Sequence, residues 1–451
     1  MPRRPLLLLL GVLTLLAGAL APIGGAYAAD EAVQLTWPVC PLVSGDPASL
    51  TVTGTNLTGA HRIYLREVLA ADVVDLSTSG YLTPDQPVVT LSLPTAKQGS
   101  REFSVEVATS ADDGTTLAGD IHDCRVLGRP TVVTATFPSG TVETGAKAMV
   151  TGTVTGVPGR PVQVQVHTKD GWTTMGRTRT TADGSYVARA PTWWVHRTTM
   201  RVFAPVTDED LAAASTTTGT MTVPPPYRPR GGTAWTPLDR YHPRWNPCDV
   251  ITYRVNRDRM PAHGMADLRE GLRRVSQATG LRFEHLGDTA FVPLRKGHEQ
   301  AQIRNADLAV AWAAPRQVPW LAGNVIGLGG GSWRSSGDGP AGFTYGFIVL
   351  DTTAPLRPGF SPNQYTWGSL ILHELGHAVG LGHVADKRQI MVSGLQPVEA
   401  RYAAGDLRGL AAVGAGQGCF TPSRAVTAGR AVPGSRVSEP GFAAVADRRR
   451  P

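Results

Sequence analysis

Residues 373–383 have the sequence His-Glu-Leu-Gly-His-Ala-Val-Gly-Leu-Gly-His, which predicts an α-helix that carries a metal site. His373 and His377 are four residues apart, so their side chains lie on the same face of a helix. Imidazole nitrogens at this spacing can both reach one zinc ion at about 2.0–2.1 Å. Glu374 follows the first histidine and projects to one side, where it can hold a water molecule bound to the metal.

A third histidine completes the predicted metal site after the helix ends. His383 follows His377 by six residues and cannot share its face on a continuous helix. The chain must therefore turn back, and Gly380 stands where a left-handed helix terminus is needed. Three protein ligands leave the fourth position of a tetrahedral ion open, as in catalytic zinc sites. A structural histidine cluster and a degenerate, inactive site are the alternatives.

The motif resembles the signature of the metzincin zinc metalloproteases, and Met391 narrows the resemblance to their matrixin-like branch. In that branch a methionine eight residues after the third histidine, as here, forms the Met-turn beneath the metal. The astacin and serralysin branches place a tyrosine ligand where this chain has Ser393, so such a ligand is not supported. The resemblance covers the catalytic module and implies one zinc ion, Glu374 as the catalytic base and peptide-bond hydrolysis. Calcium binding is also typical of the family, but no clear ligand loop is present.

The N-terminal residues 1–28 have the composition of a secretory signal peptide. Arg3 and Arg4 form a positive start, the stretch 6–20 is apolar, and Ala-Tyr-Ala at 26–28 provides a cleavage site. No later segment is apolar and long enough to span a bilayer. We therefore expect a secreted, extracellular protein that has no membrane partner after cleavage. An uncleaved membrane anchor is the alternative.

The chain contains four cysteines, which agrees with an oxidising compartment. Three connectivities are possible. The division into modules favours Cys40–Cys124 within the first module and Cys248–Cys419 around the catalytic module. No Cys-x-x-Cys pair is present, and no cysteine lies in a segment like the matrixin cysteine switch, so this form of latency is not expected.

The net charge does not indicate a nucleic-acid-binding protein. The formal value is +7 for 451 residues. Arg3 and Arg4 leave with the signal peptide, and the tail from Arg424 onward holds six arginines against two acidic residues. The remaining body is close to neutral, so no basic face for nucleic acid is expected. The run 448–450 is typical of a solvated tail.

Two β-rich modules precede the catalytic module. Residues 29–127 contain apolar residues that alternate with polar ones, as at 103–107, which is the period of half-buried strands. Residues 128–223 show the same alternation at 162–166, followed by an Asp-Gly turn dipeptide at 170–171. The second module resembles the immunoglobulin-like modules of secreted bacterial proteins. The predicted fold class is therefore multidomain, with two all-β sandwich-like modules before an α/β catalytic domain.

The rest of the chain divides at a proline-rich and glycine-rich linker, residues 224–232. Residues 233–422 alternate strand and helix patterns, and we expect a twisted mixed sheet with an active-site helix. Within them, the glycine-rich segment 324–333 is, by family resemblance, an edge strand above the zinc that pairs with extended substrate. A flexible loop is an equally supported interpretation. Residues 423–451 are expected to form a basic disordered tail.

The ends of two helices can also be placed from the sequence. The active-site helix is expected to begin between Ser361 and Thr366, with Ser361 as its cap and Pro362 at its first position. Asp406 is expected to cap the last helix of the module. A role in orienting the backbone of the Met-turn is the alternative for Asp406.

The predicted function is that of a secreted zinc-dependent endopeptidase with a protein or peptide substrate. In this hypothesis Glu374 takes a proton from a zinc-bound water and passes it to the leaving amine. The alternative is an adhesin or cell-wall-binding protein whose metalloprotease-like module is inert. A third hypothesis keeps the zinc hydrolase but gives it a peptidoglycan cross-link or another amide as substrate.

Overall fold

A computed structural model describes residues 34–36, 42–43, 49–57, 59–69, 72–92, 100–108, 116–298, 303, 305–335, 340–420, 436–437 and 441–446. The predicted signal peptide, Cys40 and the arginine run 448–450 lie outside the described residues. The chain forms two compact units, of which the first extends to Val126 apart from two short segments and the second begins at Leu127.

The first unit is all-β, as the alternating pattern predicts. Its strands form a three-stranded antiparallel sheet in the order β1-β3-β6 and a five-stranded sheet in the order β2-β8-β7-β4-β5. Val52, Ile63 and Leu82 are fully buried. The strands are β1 (Gln34–Thr36), β2 (Leu42–Val43), β3 (Ser49–Thr55), β4 (His61–Leu69), β5 (Asp72–Leu82), β6 (Val88–Ser92), β7 (Ser100–Ala108) and β8 (Thr116–Leu127).

The second unit begins with a β module in which two sheets enclose a valine-rich core. β10 pairs with β13, and the other sheet has the order β12-β11-β14-β16-β9. Val162, Val164 and Val166 of β11 are buried, as their alternation predicts. Gly171, with a φ of 104°, follows the tight turn that joins β11 to β12. The strands are β9 (Gly140–Thr141), β10 (Met149–Thr153), β11 (Pro161–Thr168), β12 (Gly171–Arg179), β13 (Ser185–Arg189), β14 (His196–Ala204), β15 (Ala213–Ala214) and β16 (Gly219–Val223).

A seven-stranded mixed sheet and three helices follow. The sheet has the order β18-β17-β19-β21-β20-β22, with β23 also paired to β20. β17, β18, β19 and β21 pair in parallel, whereas β20 is antiparallel to β21. Every residue of β19 is buried, as in the centre of a parallel sheet. The elements are β17 (Val250–Asn256), α1 (Gly264–Thr279), β18 (Arg282–Asp288), β19 (Leu308–Ala313), β20 (Val325–Ser335), β21 (Gly342–Asp351), α2 (Trp367–Ala378), α3 (Ala404–Val413), β22 (Arg436–Val437) and β23 (Gly441–Ala446).

Helix α2 lies between the sheet and α1. All twelve of its residues are buried, which is typical of a helix packed on several sides. Gly271 of α1 allows close packing, because an added Cβ would lie 2.5 Å from Cγ2 of Ile371. The chain begins α2 after Thr366, whose side chain accepts a hydrogen bond from the backbone of Ser369 at 3.1 Å. The predicted cap at Ser361 is therefore wrong, because Thr366 lies next to the helix and satisfies its free N–H.

Three further observations concern the C-terminal module and the tail that follows it. The disulfide Cys248–Cys419 is present, as predicted, whereas Cys40 lies outside the described residues and its pairing stays a prediction. The predicted disordered tail differs from the structure at 436–437 and 441–446, where the backbone forms β22 and β23 because the edge of β20 is available for pairing. Among the described residues, no helix combines the length and apolar character needed to span a bilayer.

Candidate metal centre

Helix α2 carries the first two predicted ligands on one face. His373 and His377 are both 0% exposed, and their ring centroids are 4.6 Å apart. The separation follows from their i, i+4 spacing. The two rings therefore meet in the interior of the module, as the sequence predicts.

The chain turns sharply after α2 and brings the third histidine back. Gly380 has a φ of 115°, and a Cβ at this position would lie 2.3 Å from the carbonyl oxygen of Pro243. Glycine is therefore required by both the backbone conformation and the space. The N–H of Leu381 donates to the carbonyl of Gly376 at 2.9 Å. This turn places His383 beside the two helical histidines, as predicted.

The three Nε2 atoms form a small triangle. The distances are 2.9 Å between His377 and His373, 3.1 Å between His373 and His383, and 3.1 Å between His377 and His383. One zinc ion at about 2.0–2.1 Å from each nitrogen fits this triangle, because two ligands of one ion can be separated by up to twice the bond length. Among the described residues, these histidines are the one group of three or more potential ligands whose atoms lie within 4.8 Å of one another.

The hydrogen bonds of the rings direct their lone pairs toward this triangle. Nδ1 of His373 lies 2.6 Å from the carbonyl oxygen of Ile390, and Nδ1 of His377 lies 2.7 Å from that of Leu381. A carbonyl only accepts, so each Nδ1 carries the proton and each Nε2 of these two rings offers a lone pair. Such a backbone partner is typical of a metal-binding histidine.

Burial favours the neutral form of these imidazoles. Burial lowers the pKa of His373 well below its ordinary value, and the neighbouring rings of His377 and His383 lower it further. Burial and the ring of His383 lower the pKa of His377 to about 3. Burial also lowers the pKa of His383. The neutral imidazole is the form in which histidine binds metal.

Glu374 is the buried acid of the site. It is 0% exposed, and neither carboxylate oxygen has a hydrogen-bond partner among the described residues. Burial raises the pKa of Glu374 well above its ordinary value. A buried carboxyl group without a partner is costly. A buried group with a strongly shifted pKa is a candidate for a functional role.

Strand β20 lies against this acid. A Cβ on Gly327 would be 2.3 Å from Oε1 of Glu374, and a Cβ on Gly329 would be 2.8 Å from Oε2. Of the two predictions for residues 324–333, the strand is confirmed and the flexible loop is wrong. The run of glycines is the sequence feature that indicates such a close approach, although it does not indicate the partner.

Met391 lies beneath α2, and Asp406 fixes its backbone. A Cβ on Gly376 would be 2.3 Å from the sulfur of Met391. Asp406 accepts hydrogen bonds from the N–H groups of Ile390 at 2.9 Å, Met391 at 3.2 Å and Ala403 at 2.8 Å. Burial raises the pKa of Asp406 to about 6, although these bonds oppose the increase. Capping of α3 is thus one part of its role, and the orientation of the turn at Met391 is the other.

Tyr402 binds the backbone of α2. Its hydroxyl donates to the carbonyl of Leu372 at 2.8 Å, and the residue is 2% exposed. Gly376, Asp406 and Tyr402 thus shape the centre without belonging to the histidine group. For Asp406 the sequence predicts a cap, with orientation of the Met-turn as the alternative, and both sets of contacts are present.

Comparison with known proteins gives no family for this chain. No family model matches it, and no curated protein matches it. Solved structures with partial similarity include the Yersinia pseudotuberculosis adhesin InvE, at 17% identity and a TM-score of 0.23, with 42% of this chain and 59% of that chain covered. A chimeric titin Z1Z2 matches at 17% identity and a TM-score of 0.18, with 44% and 99% covered. At these TM-scores the similarity carries no functional information.

Proposed function

We propose that this protein is a secreted zinc-dependent endopeptidase of the metzincin type, similar to the matrixins. The observation that carries the proposal is the convergence of the Nε2 atoms of His373, His377 and His383, at separations of 2.9–3.1 Å, together with the buried carboxyl group without a partner on Glu374, the residue after His373. A structural zinc site has no use for such an acid, whereas a hydrolytic site needs one.

The histidines would hold the ion, and Glu374 would move the proton. When bound, zinc supplies a Lewis acid that polarises a carbonyl oxygen and makes a bound water more acidic. Glu374 accepts the proton of the attacking water and donates it to the amine that leaves. Burial raises the pKa of Glu374, and a higher pKa makes its carboxylate a stronger proton acceptor.

The surroundings of the site favour an extended peptide as substrate over a compact amide. β20 pairs with β21 on one side, and among the described residues only the tail strands β22 and β23 pair with its other side; Gly327 and Gly329 of β20 lie against Glu374. A sheet edge binds an extended chain through backbone hydrogen bonds. The disulfide Cys248–Cys419 supports an oxidising, extracellular location.

The test is cleavage of a generic unfolded protein by the purified chain supplied with zinc. We expect peptide products that disappear with a chelator and return when zinc is added. Glu374→Ala should retain its zinc but lose at least about 100-fold in rate, since general base catalysis contributes about 10²–10⁴-fold. Unchanged cleavage by Glu374→Ala, or cleavage that a chelator does not affect, would refute the proposal.

A further inference from the structure

Strand β23 occupies the edge of β20 that faces away from β21. The two strands are antiparallel, with Ala443 opposite Gly329 and Val445 opposite Gly327. These two glycines are the positions of β20 that lie against Glu374. β23 therefore runs along the part of the sheet that borders the acid of the metal centre.

β23 also lies beside α2, the helix that carries two of the histidines and the acid. His373, Glu374 and His377 are each 0% exposed in this arrangement. A peptidase must admit both water and substrate to these groups. In this structure, the backbone of β23 lies along β20, and these three buried side chains are closed to solvent.

We propose that β23 is an intramolecular inhibitor strand, which takes the place of an extended peptide substrate on β20. This inference rests on the proposed function. The edge binds through backbone N–H and C=O groups, so it accepts a strand from the same chain as readily as a substrate. A tethered strand acts at an effective concentration of about millimolar, so a dilute substrate competes poorly with it.

The sequence of β23 suits this role. Gly441–Ala446 reads Gly-Phe-Ala-Ala-Val-Ala and contains no charged residue and no proline. Proline would remove a backbone donor from the pairing. The segment can therefore pair along its whole length, as a peptide substrate would.

The deciding variant is Ala443→Pro/Ala444→Pro in the full chain. Alternate residues of an antiparallel strand donate their N–H to the neighbouring strand, so one of two adjacent prolines removes such a donor in either phase. The matched control, Ala425→Pro/Val426→Pro, introduces the same two prolines earlier in the sequence of the tail, before β22. Neither variant changes a residue of the metal centre.

Two measurements are made on the three proteins. Hydrogen–deuterium exchange of residues 325–335 should become faster in the Ala443→Pro/Ala444→Pro variant and stay unchanged in the control. With zinc supplied, the variant should cleave a generic unfolded protein about tenfold faster than the unmodified chain, which corresponds to an edge occupied about nine-tenths of the time.

The outcomes separate three hypotheses: the pairing of β23 with β20, inhibition by β23, and the proposed peptidase function. Unchanged exchange in the variant would overturn the pairing. Faster exchange with equal cleavage would overturn the inhibition and leave the proposed function standing. Faster exchange without cleavage by any of the three proteins would instead overturn the proposed function, and with it the inhibitory role of β23.

Discussion

Gly329 of β20 lies directly against Glu374 of α2. A Cβ on Gly329 would stand 2.4 Å from the backbone oxygen of Glu374 and 2.8 Å from its Oε2. Helix α2 is buried along its whole length, and the close packing around it resists a shift away from β20. The absence of a side chain at one position of the strand thus sets how the acid of the metal centre is held.

Replacement of Gly329 by alanine should damage both stability and activity. The methyl group would overlap the helix backbone, and overpacking of this kind costs about 1–3 kcal/mol. We expect a lower unfolding midpoint in denaturant and a loss of most peptide hydrolysis. Gly416→Ala is the matched control, since a Cβ there meets nothing within 4 Å. Equal stability and activity in the two variants would contradict this role of Gly329.

Removal of the third histidine should release the metal and preserve the fold. His383 lies on the chain after α2 and is only partly buried, so its loss leaves a small cavity. We expect His383→Ala to have a near-UV circular dichroism spectrum like that of the unmodified chain but to bind far less than one zinc per molecule. Elemental analysis after dialysis checks this. His263→Ala, an exposed position at the start of α1, should keep its zinc; equal zinc content in both variants would argue against the proposed ligand set.

Much of this fold follows from local pattern in the sequence. The alternation at Val162–Val166 predicts β11, and the spacing of Met265, Leu268 and Leu272 predicts α1, because burial of one face repeats with the period of the element. Strand β23 could not be predicted in this way. Its pairing depends on a sheet edge more than 100 residues earlier in the chain, for which local sequence contains no information.

In the candidate site, too, local sequence predicts some features, whereas others depend on tertiary contacts. The three histidines and Gly380 were predictable, because a helix of fixed geometry and one required left-handed residue place them. The contact of Gly329 with Glu374 was not, because it depends on a distant strand that packs against α2. For Asp406 the sequence left open a cap or a contact with the turn at Met391, and the tertiary structure contains both. The cap at Ser361 failed for a related reason: several residues before a helix can serve as caps, and tertiary structure selects among them.

Replacement of Asp406 by asparagine should weaken metal binding from a distance. The carboxylate holds the N–H of Ile390, whose carbonyl oxygen in turn orients His373. Asparagine has one acceptor oxygen and would lose at least one of these bonds, and the loss of such outer partners costs about 10–100-fold in metal affinity. Competition with a chromophoric chelator measures the change. Asp386→Asn serves as control because Asp386 binds Gly232 and Arg388; equal affinities in the two variants would contradict the connection.

Acid should destabilise the metal-free protein through His377. Its pKa falls from 6.5 to about 3 on folding, mainly because of burial. Between these pH values the unfolded chain binds a proton that the folded chain does not, so the free energy of unfolding decreases as the pH falls, by about 1.4 kcal/mol per pH unit for this group. The free energy of unfolding is measured by denaturant titration, with a chelator present, from pH 6.5 to 4. Its decrease per pH unit should be smaller in His377→Gln than in the unmodified chain, by about the amount given for His377. Identical slopes in the two proteins would mean that His377 is not held neutral in the folded chain, and neutral rings are what a metal requires of these three side chains.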